Sequence, residues 1–179
     1  MNFFQDWSIL WVMNLSRLLF LIFIALVIVM PVRWWVLEPI YVASPSMEPT
    51  LPTGRHLFLD KLTLSLRPLQ HGDIIVFRSP VKEEHDLIKR VIALEGDKVE
   101  LRDKKVFVVD LELREPYIQH KRGDERLEGD NIGPLTVPKD SLFVLGDNRD
   151  ESNDSSMWKD PATGQPLYFL NVKEVLGIV

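Results

Sequence analysis

The chain has no cysteine and little histidine among its 179 residues. Without cysteine there can be no disulfide scaffold, no thiol nucleophile and no thiolate metal site. The four histidines are scattered, and none belongs to the His-Glu-x-x-His pattern of zinc metalloproteases. We therefore expect neither a metal nor another cofactor. The histidines are His56, His71, His85 and His120.

Charge is nearly absent from the first 37 residues, where only Asp6, Arg17 and Arg33 are ionisable. The remaining 44 of the 47 charged residues follow, and they give this second part a net charge of −6 (19 basic against 25 acidic). An acidic domain has no basic face with which to hold a phosphate backbone, so nucleic acid is not an expected partner.

Residues 18–32 read LLFLIFIALVIVMPV, and fourteen of these fifteen residues are apolar. As a helix extended through Trp34 and Trp35 to residue 37, the run reaches about 30 Å, the thickness of a hydrocarbon core. A buried core helix is the alternative, but the rest of the chain is too small and too charged to surround one. A cleaved secretory signal is a second alternative, yet no small-x-small site follows closely. We therefore predict a membrane anchor at residues 18–37, while residues 7–17 lengthen it or lie at the interface.

The part after residue 38 alternates short apolar runs with Gly, Pro, Asp and Asn, a pattern typical of β-strands. A polar, turn-rich stretch at residues 114–137 resembles a mobile insertion over the sheet surface. The prediction is a mainly β fold, with a barrel-like or sandwich catalytic domain at 38–179, an inserted region at about 96–138 and an anchor at 1–37. The predicted strands are residues 40–43, 56–62, 73–78, 86–94, 98–101, 106–109 and 141–145.

Four short motifs are candidates for chemistry. The first, SPSMEPTL at residues 44–51, places Ser46 between two prolines that stiffen the backbone. A fixed hydroxyl beside its own N–H suits a serine nucleophile with an oxyanion hole. Taken alone, however, the motif is more commonly explained as a Pro/Ser loop after a strand. The second motif, GDIIVF at residues 72–77, indicates only a turn that leads into a strand.

The third motif, LIKRVIALEGD at residues 87–97, puts two cations on a strand whose faces are both apolar. Lys89 either reaches solvent at an edge or is buried among aliphatic side chains. Burial disfavours the charged amine and lowers a lysine pKa from about 10.4. A shift to about 7–8 corresponds to about 3–5 kcal/mol and would let the neutral amine accept a serine proton.

The fourth motif, GDNRDESNDS at residues 146–155, follows a predicted strand and is dense in hydrogen-bonding side chains. An Asx-rich turn with solvated charges would explain part of it. Its length exceeds what a simple turn requires, which favours a loop that forms a site.

Together, in this order and after an apolar N-terminal segment, the four motifs resemble those of the bacterial type I signal peptidases. These are membrane-anchored serine–lysine endopeptidases that cleave signal peptides from exported proteins. The resemblance covers residues 40–155. It implies a single-pass protein of the bacterial cytoplasmic membrane with its catalytic domain on the outer, periplasmic side. Preproteins and the lipid bilayer would be its partners.

The resemblance also assigns roles. Ser46 corresponds to the nucleophile and Lys89 to the general base, while the Ser44 hydroxyl and the Ser46 N–H would form the oxyanion hole. Ser152 would hydrogen-bond the lysine amine and orient it. Apolar pockets that prefer Ala-x-Ala would be lined by Ile40, Val42, Met47 and Ile88. The residues expected to support the site structurally are Arg90, Gly146, Asp147 and Asp154, with Arg90 paired to one of the two aspartates.

This sequence departs from the family pattern at three positions. Ser156 stands where the family usually has arginine, so an expected partner of Asp154 is missing. Ala93 and Glu95 replace a more usual Gly and Pro near a turn, away from the chemistry. Two functional alternatives stay open: a peptidase of the same chemistry specialised for pilin or conjugation substrates, and a non-catalytic β-domain tethered to the membrane.

The spacing between anchor and nucleophile is short. Eight residues separate Leu37 from Ser46, and nine extended steps reach about 30 Å. The serine must then act close to the membrane surface. An extended substrate could also pair with an edge of the strand at residues 86–94.

Overall fold

A computed structural model describes residues 5–81, 85–123 and 125–179. The first element is helix α1, Gln5–Trp35. Its described side chains are those of residues 15–30, and all of them are exposed, while the side chains of residues 5–14 and 31–35 lie outside the described set. Among the described residues, no helix combines the length and hydrophobicity needed to span a bilayer. The crossing predicted at residues 18–37 is thus not found there.

The rest of the chain is mainly β, as predicted. A one-turn helix, α2 (Thr63–Leu66), and four short 3₁₀ helices interrupt the strands. The 3₁₀ helices are Pro45–Met47, Glu128–Asp130, Arg149–Glu151 and Val172–Glu174. The strands are β1 (Leu37–Tyr41), β2 (His56–Asp60), β3 (Ile74–Arg78), β4 (Asp86–Ala93), β5 (Lys98–Arg102), β6 (Lys105–Val108), β7 (Leu111–Glu112), β8 (Ile132–Thr136), β9 (Ser141–Leu145), β10 (Leu170–Asn171) and β11 (Val175–Ile178).

Seven strands form one antiparallel sheet in the order β1-β2-β11-β3-β4-β9-β10. Among the described residues, β1 and β10, the two outer strands of this sheet, do not pair with each other. The sheet is therefore open among the described residues, and of the barrel-like or sandwich forms that the sequence predicted, a closed barrel is not formed. A second antiparallel sheet, β7-β6-β5-β8, is built from residues 98–136.

Strand β4 lies inside the large sheet, between β3 and β9. It pairs with β3 over residues 86–90, where Lys89 is opposite Ile75 and Arg90 is opposite Ile74. Its pairing with β9 begins only at Arg90, opposite Leu145. Among the described residues, the segment 86–89 therefore pairs with a strand on one side only.

The two faces of β4 and β9 explain why both strands are apolar throughout. Ile92 and Phe143 pack toward the small sheet, in a core that includes Val99 and Val106. Val91 and Val144 point the other way, into a core around Trp158 and Phe77. Because both faces are covered, a polar side chain on β4 is buried unless it lies near the strand's beginning.

The stretch at residues 114–137 is not simply a surface insertion. It contains β8, which the sequence analysis missed, and β8 pairs with β5. Upstream of β8, Gln119 forms an isolated bridge with Asn148 in the loop after β9. The Gln119 N–H donates to the Asp147 carbonyl at 2.9 Å, and the Arg149 N–H donates to the Gln119 carbonyl at 3.2 Å. This part of the chain thus supports the loop that carries the fourth motif.

Candidate active site

Ser46 lies in the 3₁₀ turn Pro45–Met47, directly after the loop that leaves β1. Proline at the first helical position fixes φ in the range that a helical turn requires. The Glu48 N–H closes the turn by donating to the Pro45 carbonyl at 3.0 Å. Ser46 is 5% exposed and Met47 is 1% exposed. The candidate nucleophile is therefore held on a short, rigid and largely buried turn.

Lys89 reaches this turn from β4 and is itself only 2% exposed. Its Nζ donates to Ser46 Oγ at 2.8 Å and to the Ile88 carbonyl at 3.0 Å. The serine and the lysine, 43 residues apart in sequence, are thus brought into direct contact. A heavy-atom distance of this kind permits proton transfer from the hydroxyl to the amine once the amine is neutral.

Ser44, the expected second oxyanion donor, lies on the solvent-facing side of Ser46. It is exposed, and its Oγ is 3.2 Å from Ser46 Oγ. The two hydroxyls and the lysine amine therefore meet at one point, where Ser46 Oγ is flanked by Lys89 on its buried side and by Ser44 on its open side.

Ser152 does not make the expected hydrogen bond to Lys89. It is 8% exposed, and its Oγ is buried without a hydrogen-bond partner among the described residues. Gly146 explains the position of this hydroxyl, since a Cβ added to Gly146 would lie 2.6 Å from Ser152 Cβ. The side chain is packed against the Gly146 backbone, while the lysine amine is directed to Ser46 and Ile88.

The predicted ion pair of Arg90 is confirmed with Asp147 and not with Asp154. Arg90 donates from Nε and Nη2 to the two carboxylate oxygens of Asp147, at 2.9 and 2.6 Å. Burial alone would lower the pKa of Arg90, but the bonds to Asp147 raise it. Asp147 is 1% exposed and also accepts a hydrogen bond from Thr50, which lies in the first motif. The pair thus joins the first, third and fourth motifs.

Asp154 is satisfied without the arginine that the family usually supplies. Its carboxylate accepts from the Gly146 N–H at 2.9 Å and from the N–H and hydroxyl of Ser156 at 3.0 and 2.7 Å. Asp154 is 1% exposed, so these donors matter for a carboxylate shielded from water. Ser156 therefore meets part of the hydrogen-bonding requirement of Asp154 directly.

Sequence reasoning missed a second set of buried contacts behind the site. Arg149 and Glu115 form an ion pair in which both side chains are nearly buried, at 8% and 4% exposure. The Tyr117 hydroxyl donates to Glu115, and the Tyr117 ring lies 4.0 Å from the Arg90 guanidinium carbon. Burial, followed by the charge of Glu115, raises the pKa of Tyr117. Nothing in the sequence spacing links residues 115–117 to Arg90, because only tertiary folding brings them together.

Asn148 was also missed. It is fully buried, its N–H donates to the Ser46 carbonyl at 3.0 Å and its Nδ2 donates to the Pro45 carbonyl at 3.1 Å. Its place inside the fourth motif was a signal, but the motif pattern does not say which of its polar residues faces Ser46.

The four candidate pocket residues divide into two pairs. Ile40 and Ile88 line the same cavity, which has a volume of about 580 Å³ and lies between β1 and the start of β4. Val42 and Met47, at 3% and 1% exposure, pack in a small apolar core with Leu51. Ile88 also packs against this core. Ile40 and Ile88 therefore line an accessible cavity, while Val42 and Met47 are buried.

Comparison with known proteins shows the family to which the chain belongs. A family model described as signal peptidase, peptidase S26, matches residues 15–179. The chain is 38% identical over 138 residues to signal peptidase I P of Bacillus subtilis subsp. natto, covering 75% of this chain and 74% of that protein.

Two further matches carry the same name. Signal peptidase I of Bacillus caldolyticus is 38% identical over 165 residues, covering 88% of this chain and 85% of that protein. A crystal structure of a signal peptidase I from Enterococcus faecalis is 30% identical, with a TM-score of 0.47, and covers 63% of this chain and 97% of that one. The chain belongs to the signal peptidase family, peptidase S26.

Proposed function

We propose that this protein is a serine endopeptidase that removes N-terminal signal peptides from exported preproteins, with Ser46 as the nucleophile and Lys89 as the general base. The observation that carries the assignment is the 2.8 Å contact between Lys89 Nζ and Ser46 Oγ at a site shielded from water. Family membership supports the reaction, and the local geometry supports the roles of these two residues.

In the acylation step, the neutral Lys89 amine takes the proton of Ser46 Oγ as that oxygen attacks the scissile carbonyl carbon. The carbonyl oxygen becomes an oxyanion, which the Ser46 N–H and the Ser44 hydroxyl stabilise. The tetrahedral intermediate collapses as the Lys89 ammonium returns a proton to the leaving amine. The products of this step are the free N-terminus of the mature protein and a signal peptide esterified to Ser46.

In the deacylation step, Lys89 is neutral again and acts on water. The amine removes a proton from a water molecule whose oxygen attacks the ester carbonyl. Collapse of the second tetrahedral intermediate breaks the bond to Ser46 Oγ, and the lysine returns the proton to that oxygen. The signal peptide leaves with a free carboxylate, and the enzyme is regenerated.

Ile40 and Ile88 line the substrate cleft. The cavity that they share is also lined by Asp86, and residues 86–89 pair with a strand on one side only, so an extended peptide can form backbone hydrogen bonds with this segment while a small side chain enters the cavity. The core of Val42 and Met47 beneath this region is already filled, which favours small residues such as alanine next to the scissile bond.

Residues 1–37 anchor the enzyme to the bacterial cytoplasmic membrane in a single pass, and residues 38–179 form the catalytic domain on its outer side. The sheet built from residues 98–136 supports treating residues 96–138 as an inserted region. Support for the anchor comes from helix α1 and the exposed apolar side chains of residues 15–30. Because β1 begins at Leu37, the Ser46 turn follows the helix closely.

The test of this function is cleavage of a model preprotein by the full chain in detergent or vesicles. We expect Ser46→Ala and Lys89→Ala each to reduce cleavage by at least about 10³-fold while the circular dichroism spectrum is unchanged. Ser65→Ala and Lys139→Ala repeat the same chemical changes at exposed positions away from the site and should retain wild-type rates. Retained cleavage in either site variant would overturn the assignment.

A further inference from the structure

Asn148 contacts the backbone of the nucleophile turn at two consecutive residues. It follows Asp147 in the loop after β9 and is 0% exposed. Its backbone N–H donates to the Ser46 carbonyl at 3.0 Å, and its side-chain Nδ2 donates to the Pro45 carbonyl at 3.1 Å. One residue of the fourth motif therefore holds two adjacent carbonyls of the first motif, although 103 positions separate Asn148 from Pro45.

The surroundings of the side-chain amide fix its orientation. Nδ2 donates both to the Pro45 carbonyl and to Glu151 Oε2, at 3.1 and 3.0 Å. A carbonyl oxygen and an ionised carboxylate are acceptors only. If the amide were turned over, its own oxygen would face both acceptors and neither bond could form. The position therefore requires a donor of two hydrogen bonds, which asparagine supplies and the isosteric aspartate does not.

The bond to the Pro45 carbonyl has a consequence for the Ser46 N–H. These two groups belong to the same peptide unit, which is planar, and in a trans peptide they point in opposite directions. The Pro45 carbonyl accepts from the Glu48 N–H within the turn and from Asn148 Nδ2, and donors that fix the direction of this carbonyl thereby fix the direction of the Ser46 N–H. The bond to the Ser46 carbonyl fixes the next peptide unit in the same way. The Ser46 N–H is the backbone donor that the proposed mechanism aims at the oxyanion.

We propose that Asn148 is a positioning residue for the oxyanion hole: its side-chain amide sets the direction of the Ser46 N–H through the Pro45 carbonyl. The inference rests on the proposed function, since it presumes that an oxyanion forms beside Ser46. Asn148 does not touch the reacting atoms. It acts through the peptide unit that joins Pro45 to Ser46.

The test compares Asn148→Ala and Asn148→Asp with the wild-type full chain on a fluorogenic signal-peptide substrate. Both variants keep the backbone bond to the Ser46 carbonyl and lose the side-chain bond to the Pro45 carbonyl. Loss of an oxyanion-hole donor costs about 10²–10³-fold in kcat, so a misaligned donor should cost about 10–100-fold. KM should change by less than about threefold, because the oxyanion exists only in the transition state and intermediate.

Two further readouts separate positioning from other roles. In Asn148→Ala, which adds no charge, the midpoint of the acid limb of the pH–rate profile should not move, because the contact of Lys89 with Ser46 is unchanged. The matched control is Asn131→Asp, an isosteric change at an exposed residue whose side-chain oxygen accepts from the Asp103 N–H. It keeps that acceptor and should retain wild-type kcat.

Thermal unfolding distinguishes positioning from simple destabilisation. Val106→Ala, in the core of the small sheet, removes buried apolar volume without touching the Ser46 turn and provides a comparison of lowered stability. The proposal is overturned if kcat of the folded Asn148 variants stays within twofold of wild type, if kcat falls equally in Val106→Ala, or if neither Asn148 variant folds. Cleavage by Ser46→Ala would instead overturn the underlying function, so the two failures are distinguishable.

Discussion

At the scale of single residues, the surroundings of Lys89 have to favour an uncharged amine. The side chain is 2% exposed, and Ser46 Oγ and the Ile88 carbonyl, which accept from its Nζ, carry no formal charge. Burial of an amine disfavours its charged ammonium form. Arg90, the next residue, is instead paired with Asp147 on the other face of the strand and remains charged.

The first prediction concerns the pH dependence of cleavage. The acid form of Lys89 cannot accept the serine proton, so kcat/KM should rise with pH along a limb whose midpoint lies below about 9, under the usual lysine value of about 10.4. Lys89→Arg should be inactive up to pH 10, because a guanidinium does not deprotonate in this range. The measurement is a pH–rate profile from pH 5 to 10.

An exposed lysine supplies the control for that profile. Lys121 is paired with Glu151 at 2.8 Å on the surface, and that hydrogen bond raises its pKa. Lys121→Ala should therefore leave the acid limb unchanged. Activity in Lys89→Arg, or a midpoint near 10.4 in the wild type, would show that another group acts as the base.

Asp150 is a buried charge that supports the site loop from behind. Its carboxylate accepts from the Arg122 N–H at 2.6 Å, lies 3.2 Å from His120 Nδ1 and lies 3.4 Å from Lys104 Nζ. Burial alone would raise the pKa of Asp150, but these hydrogen bonds and the charge of Lys104 lower it. The ionised form is thus favoured in the folded protein.

The second prediction is a stability difference that depends on pH. The folded-state pKa of Asp150 lies below the unfolded value of about 3.9, so the stabilisation is fully present above that pH and is lost as pH falls through the folded value. Asp150→Asn should cost about 1–3 kcal/mol at pH 7 and less as the pH falls below about 4. Thermal unfolding from pH 7 to pH 3 measures this, and a difference that stays constant over that range would contradict the assignment.

At the scale of structural elements, the site depends on how closely the end of β9 approaches the turn Pro45–Met47. Gly146 is the point of contact. A Cβ at this position would lie 2.5 Å from the Ser46 carbonyl oxygen and 2.6 Å from Ser152 Cβ. The Ser46 oxygen is backbone and accepts from the Asn148 N–H, so it cannot move without displacing the nucleophile turn.

The third prediction follows from this close approach. Gly146→Ala should push the Ser46 turn away from β9, reduce cleavage by at least about 100-fold and cost about 1–3 kcal/mol, as overpacking typically does. This corresponds to a fall in melting temperature of roughly 2–10 °C. Gly123→Ala is the matched control, since an added Cβ there meets nothing within 4 Å. Near-normal activity in Gly146→Ala would show that the two elements can separate without affecting catalysis.

Also at this scale, the sequence predicted seven of the described strands and missed β7, β8, β10 and β11. Strand β9 was predicted with its observed bounds, and β3 and β4 differ by one residue at one end. Strand β8 was missed because it contains Gly133 and Pro134, which locally favour a turn. It exists because pairing with β5 and packing of Ile132 stabilise it, and a local pattern does not record such long-range contacts.

The candidate site was predictable to a similar extent. The motifs singled out Ser46 and Lys89, which the structure brings into contact, and an ion pair of Arg90 with Asp147 or Asp154, of which the structure shows the pair with Asp147. They misassigned the hydrogen bond of Ser152 and omitted Asn148. Both side chains are small and polar in a loop rich in such residues, and their partners depend on the packing of that loop against the Ser46 turn.

At the scale of the whole molecule, β4 and β9 join two cores. One core packs the small sheet against one face of these strands, and the other packs around Trp158 on the opposite face. Lys89 and the loop after β9 extend from this shared pair of strands toward the Ser46 turn. A rigid centre therefore positions the catalytic groups, while the acidic exposed surface maintains solubility.

The near absence of charge in residues 1–37 distinguishes the N-terminal helix from this body. The exposed large apolar side chains of helix α1 include Leu21 at 62% and Ile28 at 59%. In water such a surface would associate with any apolar phase. In the proposed arrangement, the bilayer would cover this surface, and the helix would hold the Ser46 turn close to the membrane.

The last prediction tests the anchor in the full chain. A basic residue at the centre of a membrane helix costs about 2.5–3.5 kcal/mol on the translocon scale, so Leu21→Arg combined with Ile28→Arg should release most of the protein from membranes. Val109→Arg combined with Leu111→Arg repeats the change at two exposed apolar residues of the small-sheet region, at 58% and 72% exposure. This second pair of substitutions should not release the protein from membranes. Flotation with vesicles and alkaline extraction of cell membranes measure the bound fraction. If only the Val109/Leu111 pair releases the protein from membranes, the membrane contact lies on the β-domain. If only the Leu21/Ile28 pair releases it, the contact lies on helix α1.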